Sequence, residues 1–377
     1  MKALTWPEVL ARRLERSHLV TQAPRRRLVE VVREVGGIQA QVASSAELQL
    51  VTRVEGLDAE GVRAELWEKR SLVKSYGARG TLHLLPRDEV SLWAASLQWG
   101  RAEPWYERFG FTKRQAERIV AATGDALDGR TLTRAELADA VGRRAGPKAR
   151  ELMADGWAHL LGPSAVRGLL CFGPPRGANV TFVRADQWLG GWEERDPRES
   201  MLEVVRRFLR AYGPSTHTEL SQWIARRPPQ ARELLAALGD ELEQVDVERE
   251  RRWVLAGDTA PGTGAALRLV PQYDAYVIGS RPRERVLTEA ARARISSFRR
   301  GVFEGAVALQ VVLWDGRIVG LWERKQGRVR VLVMAAANAH IGHTCVFDRV
   351  VAKHQRLPQA PHLPFVECML QRKGSVA

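Results

Sequence analysis

The stretch LVKSYGARGTLHLLP, residues 72–86, decides the fold of the first part of the chain. Its polar and apolar side chains alternate, so Arg79, Thr81 and His83 are predicted on one face of a strand and leucines on the other. Amphipathic helices with capping or stop signals precede it, beginning near Thr5, Arg25 and Asp58. Helices followed by a β-hairpin are typical of a winged helix, which we predict for residues 1–115.

The same plan recurs twice further along the chain. Thr133-Arg134-Ala135-Glu136 and Thr216-His217-Thr218-Glu219 have capping-box spacing, and each opens a helix that is followed by a second helix and a pair of strands. The spacing of these copies is too long for a solenoid repeat. We therefore predict two more winged helices, over residues 116–195 and 196–262.

The character of the sequence changes after a glycine-rich linker, residues 257–268. Short β-strands follow, and Asp315-Gly316 is a strong hairpin turn. The linker lacks the Gly-Lys-Ser/Thr ending of a phosphate loop, so it does not predict nucleotide binding. Residues 263–377 are predicted to form a small β-barrel. The predicted fold class is α+β: three tandem winged helices and a C-terminal β-barrel.

The charge balance favours a polyanionic partner such as nucleic acid. Lysine and arginine number 58 against 44 acidic residues, a formal net charge of +14. A soluble basic protein without such a partner is the alternative. No window is long and apolar enough to cross a bilayer, which favours a cytoplasmic protein. Cys171, Cys345 and Cys368 are scattered, which indicates reduced thiols and no structural metal site.

The segment Gly36-Gly37-Ile38-Gln39-Ala40-Gln41 places two neutral amides just after a helix. In extended backbone, Gln39 and Gln41 would project to the same side. An amide is no general base at pH 7, but its carbonyl oxygen can bind a water and its dipole can face a developing cation. Such a pair suits a reaction with an activated leaving group. Two solvent-exposed loop glutamines are the alternative.

Four stretches carry a resemblance to a known family: GGIQAQ, ARGTLHLLPRDE, VPQYDAYVIGSRPR and DGRIVGLWERK, in that order. The chain resembles the AlkZ and YcaQ family of bacterial DNA glycosylases over almost its whole length. The family's signature is Gln-apolar-Gln, or Gln-apolar-Asp in the YcaQ branch. Gln39-Ala40-Gln41 places this chain nearer the AlkZ branch.

That resemblance implies a C-shaped clamp around duplex DNA and a monofunctional DNA glycosylase acting in base excision repair. Its substrates would be N7- or N3-alkylated purines, with interstrand crosslinks among them, and its role would include self-resistance to a DNA-alkylating natural product. It implies catalysis by Gln39 and Gln41 without metal or other cofactor. The protein would be a cytoplasmic, nucleoid-associated monomer.

Further residues are candidates for binding the DNA. Arg79 is assigned to a phosphate or the lesion strand, with Thr81 and His83 lining the site. The basic turn of Arg281 and Arg283 is assigned to phosphates, as are the runs at residues 25–27 and 143–150. An exposed hairpin face and solvated basic faces are the respective alternatives.

Two other functional classes fit parts of the sequence. A non-enzymatic winged-helix regulator or drug-sequestering protein would share the helices and the positive charge. A nuclease is disfavoured because no clustered carboxylates offer a two-metal site. The histidines near the C-terminus could suggest a metal but lack matching carboxylates: His340, His343, His354 and His362.

Overall fold

A computed structural model gives the fold for residues 1–101, 104–155, 160–287, 291–292, 308–325, 328–333 and 367–368. Helices and strands are mixed, which confirms the predicted α+β class. The helices of these residues are α1 (Trp6–Arg16), α2 (Leu28–Glu34), α3 (Ala43–Arg53), α4 (Ala59–Trp67), α5 (Val90–Ser96), α6 (Lys113–Leu127), α7 (Arg134–Ala145), α8 (Pro147–Ala154), α9 (Leu161–Ala165), α10 (Ala185–Leu189), α11 (Pro197–Tyr212), α12 (His217–Ile224), α13 (Pro228–Leu238), α14 (Ala275–Gly279) and α15 (Arg283–Val286). The strands are β1 (Ala3–Leu4), β2 (Ile38–Gln39), β3 (Leu72–Tyr76), β4 (Leu82–Pro86), β5 (Leu132–Thr133), β6 (Cys171–Arg176), β7 (Asn179–Val183), β8 (Leu242–Val247), β9 (Glu250–Leu255), β10 (Leu267–Val270), β11 (Val311–Trp314), β12 (Arg317–Lys325), β13 (Arg328–Val333) and β14 (Glu367–Cys368).

Four sheets organise the part of the chain that the structure describes. The first sheet has the order β2-β4-β3, the second β5-β7-β6 and the third β1-β8-β9, each with helices packed on it. A central apolar cluster joins them, in which α11, α12 and α13 pack against α5. Phe208, Tyr212 and Trp223 form its aromatic centre, with ring centroids 5.0–6.1 Å apart.

The N-terminal residues pack against the third sheet and the C-terminal segment. Ala3 and Leu4 pair in parallel with β8, at Asp246 and Val247. The apolar side of α1 packs with residues of the C-terminal segment, Tyr276 among them. The apolar side chains of α1 are therefore buried outside the core of the first sheet.

The C-terminal sheet is a half-barrel with the strand order β10-β11-β12-β13-β14. Asp315-Gly316 turns β11 into β12, with φ of 46° and 80°, as the sequence predicted. Within the described residues β10 and β14 are the edges of this sheet, so the sheet accounts for half of the predicted barrel. No helix in the described ranges has the length and apolar character of a membrane span.

Several local predictions are confirmed. The capping boxes at Thr5, Thr133 and Thr216 are present at the starts of α1, α7 and α12. The helix α3 was not predicted, because Val42 precedes it without a side-chain cap and its buried face includes Gln49 and Arg53.

Candidate active site

The glycine pair Gly36-Gly37 turns the chain from α2 into β2. Their φ values are 73° and 89°, which glycine adopts without steric cost. A Cβ on Gly37 would lie 2.9 Å from Cδ2 of Leu85, so the close packing also requires glycine. The turn brings Gln39 into the first sheet, paired with His83 of β4.

The side chain of Gln39 is buried and its amide is fixed by Arg79. Only 7% of the residue is exposed, and Nη2 of Arg79 donates a hydrogen bond to Oε1 of Gln39 at 3.0 Å. A guanidinium contains only donors, so the amide atom that faces it must be the oxygen. The Nε2 group of Gln39 is therefore directed elsewhere, and one of its oxygen lone pairs is already in use.

Arg79 lies in a tight turn rather than on a strand. Residues 78–80 form a 3₁₀ turn in which Arg79 has a φ of 62°, and β4 begins only at Leu82. The prediction of one strand face through residues 79–83 is thus corrected. Nη1 of Arg79 also lies 3.4 Å from the carbonyl oxygen of Trp223. Burial and the charge of Arg281 lower the pKa of Arg79 to about 10, so it stays protonated at neutral pH.

His83 lies beneath this turn with only 3% of its surface exposed. Its Nδ1 is 2.9 Å from the carbonyl oxygen of Thr81. A carbonyl only accepts, so Nδ1 carries the proton and Nε2 is left as an acceptor. Burial, and next the charge of Arg79, lower the pKa of His83 to about 3. His83 is a neutral, enclosed ring, while the Thr81 hydroxyl donates to the carbonyl of Ala78 at 2.9 Å.

Gln41 differs from Gln39 in its surroundings. It is exposed and lies in a bend between β2 and α3. The prediction that both glutamine side chains project to the same side assumed extended backbone through Gln41. The strand β2 ends at Gln39. Among the residues described, none forms a hydrogen bond with the Gln41 amide, so this side chain is free to bind water or substrate.

The main chain of Gln39 is supported by α3. Nε2 of Gln49 donates to the carbonyl oxygen of Gln39 at 3.2 Å, and Oε1 of Gln49 accepts from the backbone N–H of Ala275 at 3.1 Å. Arg53, one turn further, forms two 2.8 Å hydrogen bonds with Asp274, and both side chains have no exposed surface. Asp274 also accepts from the N–H of Tyr276 at the start of α14. Asp274 therefore both caps α14 and pairs with an arginine.

Arg281 and Arg283 line a large cavity between the third sheet and the segment after α14. Its volume is about 1210 Å³, and Gln222 and Arg251 also line it. Burial, followed by the charges of Arg281 and Arg79, lowers the pKa of Arg283 to about 9. Besides burial, the charge of Arg281 lowers the pKa of both Arg79 and Arg283, so the three guanidiniums lie close enough to share one region of positive potential.

The other basic runs are exposed and partly paired. Arg25 and Arg26 face solvent, whereas Arg150 is paired with Asp139 at 2.6 Å and Arg144 with Asp125. The predicted histidine candidates, residues 340, 343, 354 and 362, lie outside the described part of the chain, as does Cys345. Within the described part, no group of three or more histidine, cysteine or acidic residues is arranged to hold a metal ion.

The family of this chain is decided by comparison with known proteins. Residues 32–352, which include both glutamines, Arg79 and Asp274, match the family described as DNA glycosylase AlkZ-like. The chain belongs to the AlkZ-like DNA glycosylase family. It is therefore a DNA glycosylase.

Two relatives of this AlkZ-like glycosylase come from Streptomyces sahachiroi. A protein named interstrand DNA cross-link repair glycosylase is 35% identical over 341 residues, which cover 86% of this chain and 88% of the relative. The solved structure of Streptomyces sahachiroi DNA glycosylase AlkZ matches with a TM-score of 0.80 and 31% identity, covering 98% of this chain and 100% of that one.

Each buried carboxylate that the structure describes in this AlkZ-like glycosylase is paired with arginine. These carboxylates belong to Glu89, Glu219 and Asp274, and Oε2 of Glu89 has no hydrogen-bond partner within the described ranges. Glu89 is paired with two arginines and Glu219 with one, and Asp274 is paired with Arg53. Each therefore accepts hydrogen bonds in a fixed ion pair, which disfavours it as a general base.

Proposed function

We propose that this glycosylase hydrolyses the N-glycosidic bond of N7- or N3-alkylated purines in duplex DNA, with Gln39 and Gln41 as the catalytic residues. The observation that carries the proposal is the contrast between the two amides: Gln39 is fixed by Arg79, whereas Gln41 is exposed beside it in sequence. A rigid amide and a free amide at the end of one strand can orient a water without any charged base.

The reaction needs little acid–base help because the leaving group is already cationic. The bond between C1′ and the purine nitrogen breaks, and its electron pair neutralises the alkylated base. The sugar becomes oxocarbenium-like in the transition state, and amide oxygens stabilise that charge. Water adds its oxygen to C1′ and loses its proton to solvent.

The two glutamines divide this work by their hydrogen bonds. Gln41 is the holder of the attacking water, because its carbonyl oxygen is unoccupied. Gln39 supports the water or the sugar through its remaining lone pair and its Nε2 group, since Arg79 occupies one lone pair of its oxygen.

The DNA backbone is the counterion that this site requires. Arg79, Arg281 and Arg283 form one positive region, and phosphates of the lesion strand would neutralise it. Of the five residues predicted to contact DNA, we assign the phosphate contacts to these three. Thr81 is half-buried, and the enclosed ring of His83 supports the turn that carries Arg79.

Crosslink unhooking and the clamp belong to the same proposal. The Streptomyces relative is named for interstrand cross-link repair, and a bulky crosslink needs a site on the surface rather than a deep pocket. Exposed Gln41 meets that need.

We further propose that the first, second and third sheets with their helices are winged helices, and that with the C-terminal barrel they clamp DNA as a monomer near the nucleoid. Self-resistance to a DNA-alkylating natural product would follow.

Base release tests the catalytic assignment. Duplex DNA with N7-methylguanine, and a duplex with an N7 interstrand crosslink, are incubated with wild type, Gln39→Ala and Gln41→Ala, and abasic sites are cleaved with alkali. Gln187→Ala is the matched control, since Gln187 is an exposed glutamine of α10 whose amide donates a hydrogen bond to Asp128. We expect both active-site variants to be slower and to bind DNA normally. Wild-type rates in both would refute the assignment, and tight binding without base release would favour a DNA-binding regulator.

The DNA contacts need a separate measurement. Arg281→Gln should weaken binding to lesion-free and lesion-bearing duplexes alike. It should also reduce the slope of log affinity against log salt concentration by about one. An unchanged slope would remove Arg281 from the interface.

A further inference from the structure

A buried glutamine on α3 links the catalytic strand to the C-terminal segment. We infer that Gln49 is a positioning residue for Gln39, and that the segment Asp274–Ala275 fixes Gln49 in that role. The inference rests on the proposed catalytic function of Gln39. It assigns a role in base excision to residues that contact neither DNA nor the reacting atoms.

The orientation of the Gln49 amide is determined by its two partners. The carbonyl oxygen of Gln39 can only accept, and the N–H of Ala275 can only donate. At 3.2 Å and 3.1 Å both bonds are formed at once, by a side chain with no exposed surface. Rotating the amide would lose both bonds and leave four buried polar groups without partners.

The main chain of Gln49 is fixed by hydrogen bonds as well as its side chain. Nη1 of Arg53 donates to the main-chain carbonyl oxygen of Gln49 at 3.1 Å, and Arg53 is paired with Asp274 by two 2.8 Å hydrogen bonds. Asp274 in turn caps α14 through the N–H of Tyr276 at 2.9 Å. The position of Ala275, and with it that of the Gln49 amide, is set by this buried ion pair.

Gln39 needs this support because its own strand is short. β2 has two residues and pairs only with β4 in the first sheet. Before it comes the glycine pair of residues 36 and 37, which restricts the backbone least. Arg79 fixes the Gln39 side chain, but an amide can be placed accurately only if its main chain is placed too. Gln49 supplies the main-chain contact.

The experiment compares Gln49→Leu with a control that removes other hydrogen bonds to the same helix. The Gln22 amide donates to the carbonyl oxygens of Val51 and Thr52, at 3.0 and 3.1 Å, so Gln22→Leu removes hydrogen bonds from α3 without touching Gln39. For each variant we would measure melting temperature, DNA affinity and the single-turnover rate of N7-methylguanine release at saturating enzyme. Gln49→Met removes both the donor and the acceptor with little change in side-chain length, and it serves if the leucine variant fails to fold.

We expect both leucine variants to melt at lower temperature and both to bind DNA like wild type. The release rate should fall about 10- to 100-fold in Gln49→Leu, as for a displacement of about 1 Å at a reacting group, and stay at the wild-type value in Gln22→Leu. Gln49→Met should be slow as well. Equal rates in the two leucine variants, or a wild-type rate in Gln49→Met, would overturn the inference. Failure of the proposed function is distinguishable, because Gln39→Ala would then release base at the wild-type rate.

Discussion

Replacing Arg79 with methionine would free the Gln39 amide while leaving the backbone turn unchanged. Methionine also carries a Cβ, so the cost of the positive φ at this position is the same. The bond that is lost, from Nη2 of Arg79 to Oε1 of Gln39 at 3.0 Å, involves a charged donor and contributes about 1.5–3 kcal/mol. If that free energy is fully expressed in the transition state, the rate of base release falls about 10- to 150-fold.

The assay is single-turnover release of N7-methylguanine at saturating enzyme, with Arg79→Lys as the matched variant. Lysine keeps the positive charge for phosphates but lacks the planar fork that reaches both Gln39 and the carbonyl of Trp223. We expect Arg79→Lys to bind DNA nearly as wild type does and to release base slowly. A rate within about twofold of wild type in Arg79→Met would refute the argument that Arg79 orients the amide.

Three further predictions concern stability and pH. Asp274→Asn leaves the fully buried Arg53 without its anion and should reduce the free energy of unfolding by about 3–5 kcal/mol in urea titrations; an unchanged midpoint would contradict this. In Gly37→Ala the added Cβ would lie 2.9 Å from Cδ2 of Leu85 at a position with positive φ. The substitution should therefore reduce the free energy of unfolding by about 1–3 kcal/mol. Gly257→Ala, with a similar φ but open space, should cost less and keep full activity. The pKa of His83 is lowered from 6.5 to about 3 in the folded state, so unfolded chains take up this proton first and stability falls as pH drops from 6.5 towards 3. His83→Gln should flatten that part of the pH–stability curve, and an identical curve would argue against a neutral ring.

The sequence predicts those parts of the fold that depend on neighbouring residues. Some motifs depend only on residues within a few positions of one another, so the sequence alone identifies them. Examples are the capping boxes at Thr133 and Thr216 and the Asp315-Gly316 turn. The helix α3 lacks a capping side chain and buries polar residues such as Gln49. Its hydrophobic pattern is therefore weak, and its partners are known only once the chain is folded.

The candidate site shows the same division. Gln39 and Gln41 stand out in the sequence because two amides follow a glycine turn. The surroundings that distinguish them come from far away: Trp223 lies 144 residues from Arg79, and Ala275 lies 226 residues from Gln49. Alternation in the sequence suggested a strand through Arg79, whereas the packing of glycines around His83 makes a turn there. Contacts across such separations leave no local pattern.

The pairing of β1 with β8 sets an order of events during synthesis. Ala3 leaves the ribosome long before its partner Asp246, and non-local contacts of this kind form late in folding. Ala275, which fixes Gln49, comes later still. A ribosome that stops before this point releases a chain that has Gln39 but lacks the segment that fixes Gln49 behind it. Under the proposed roles of these two residues, interrupted translation products of this glycosylase would not remove bases from DNA.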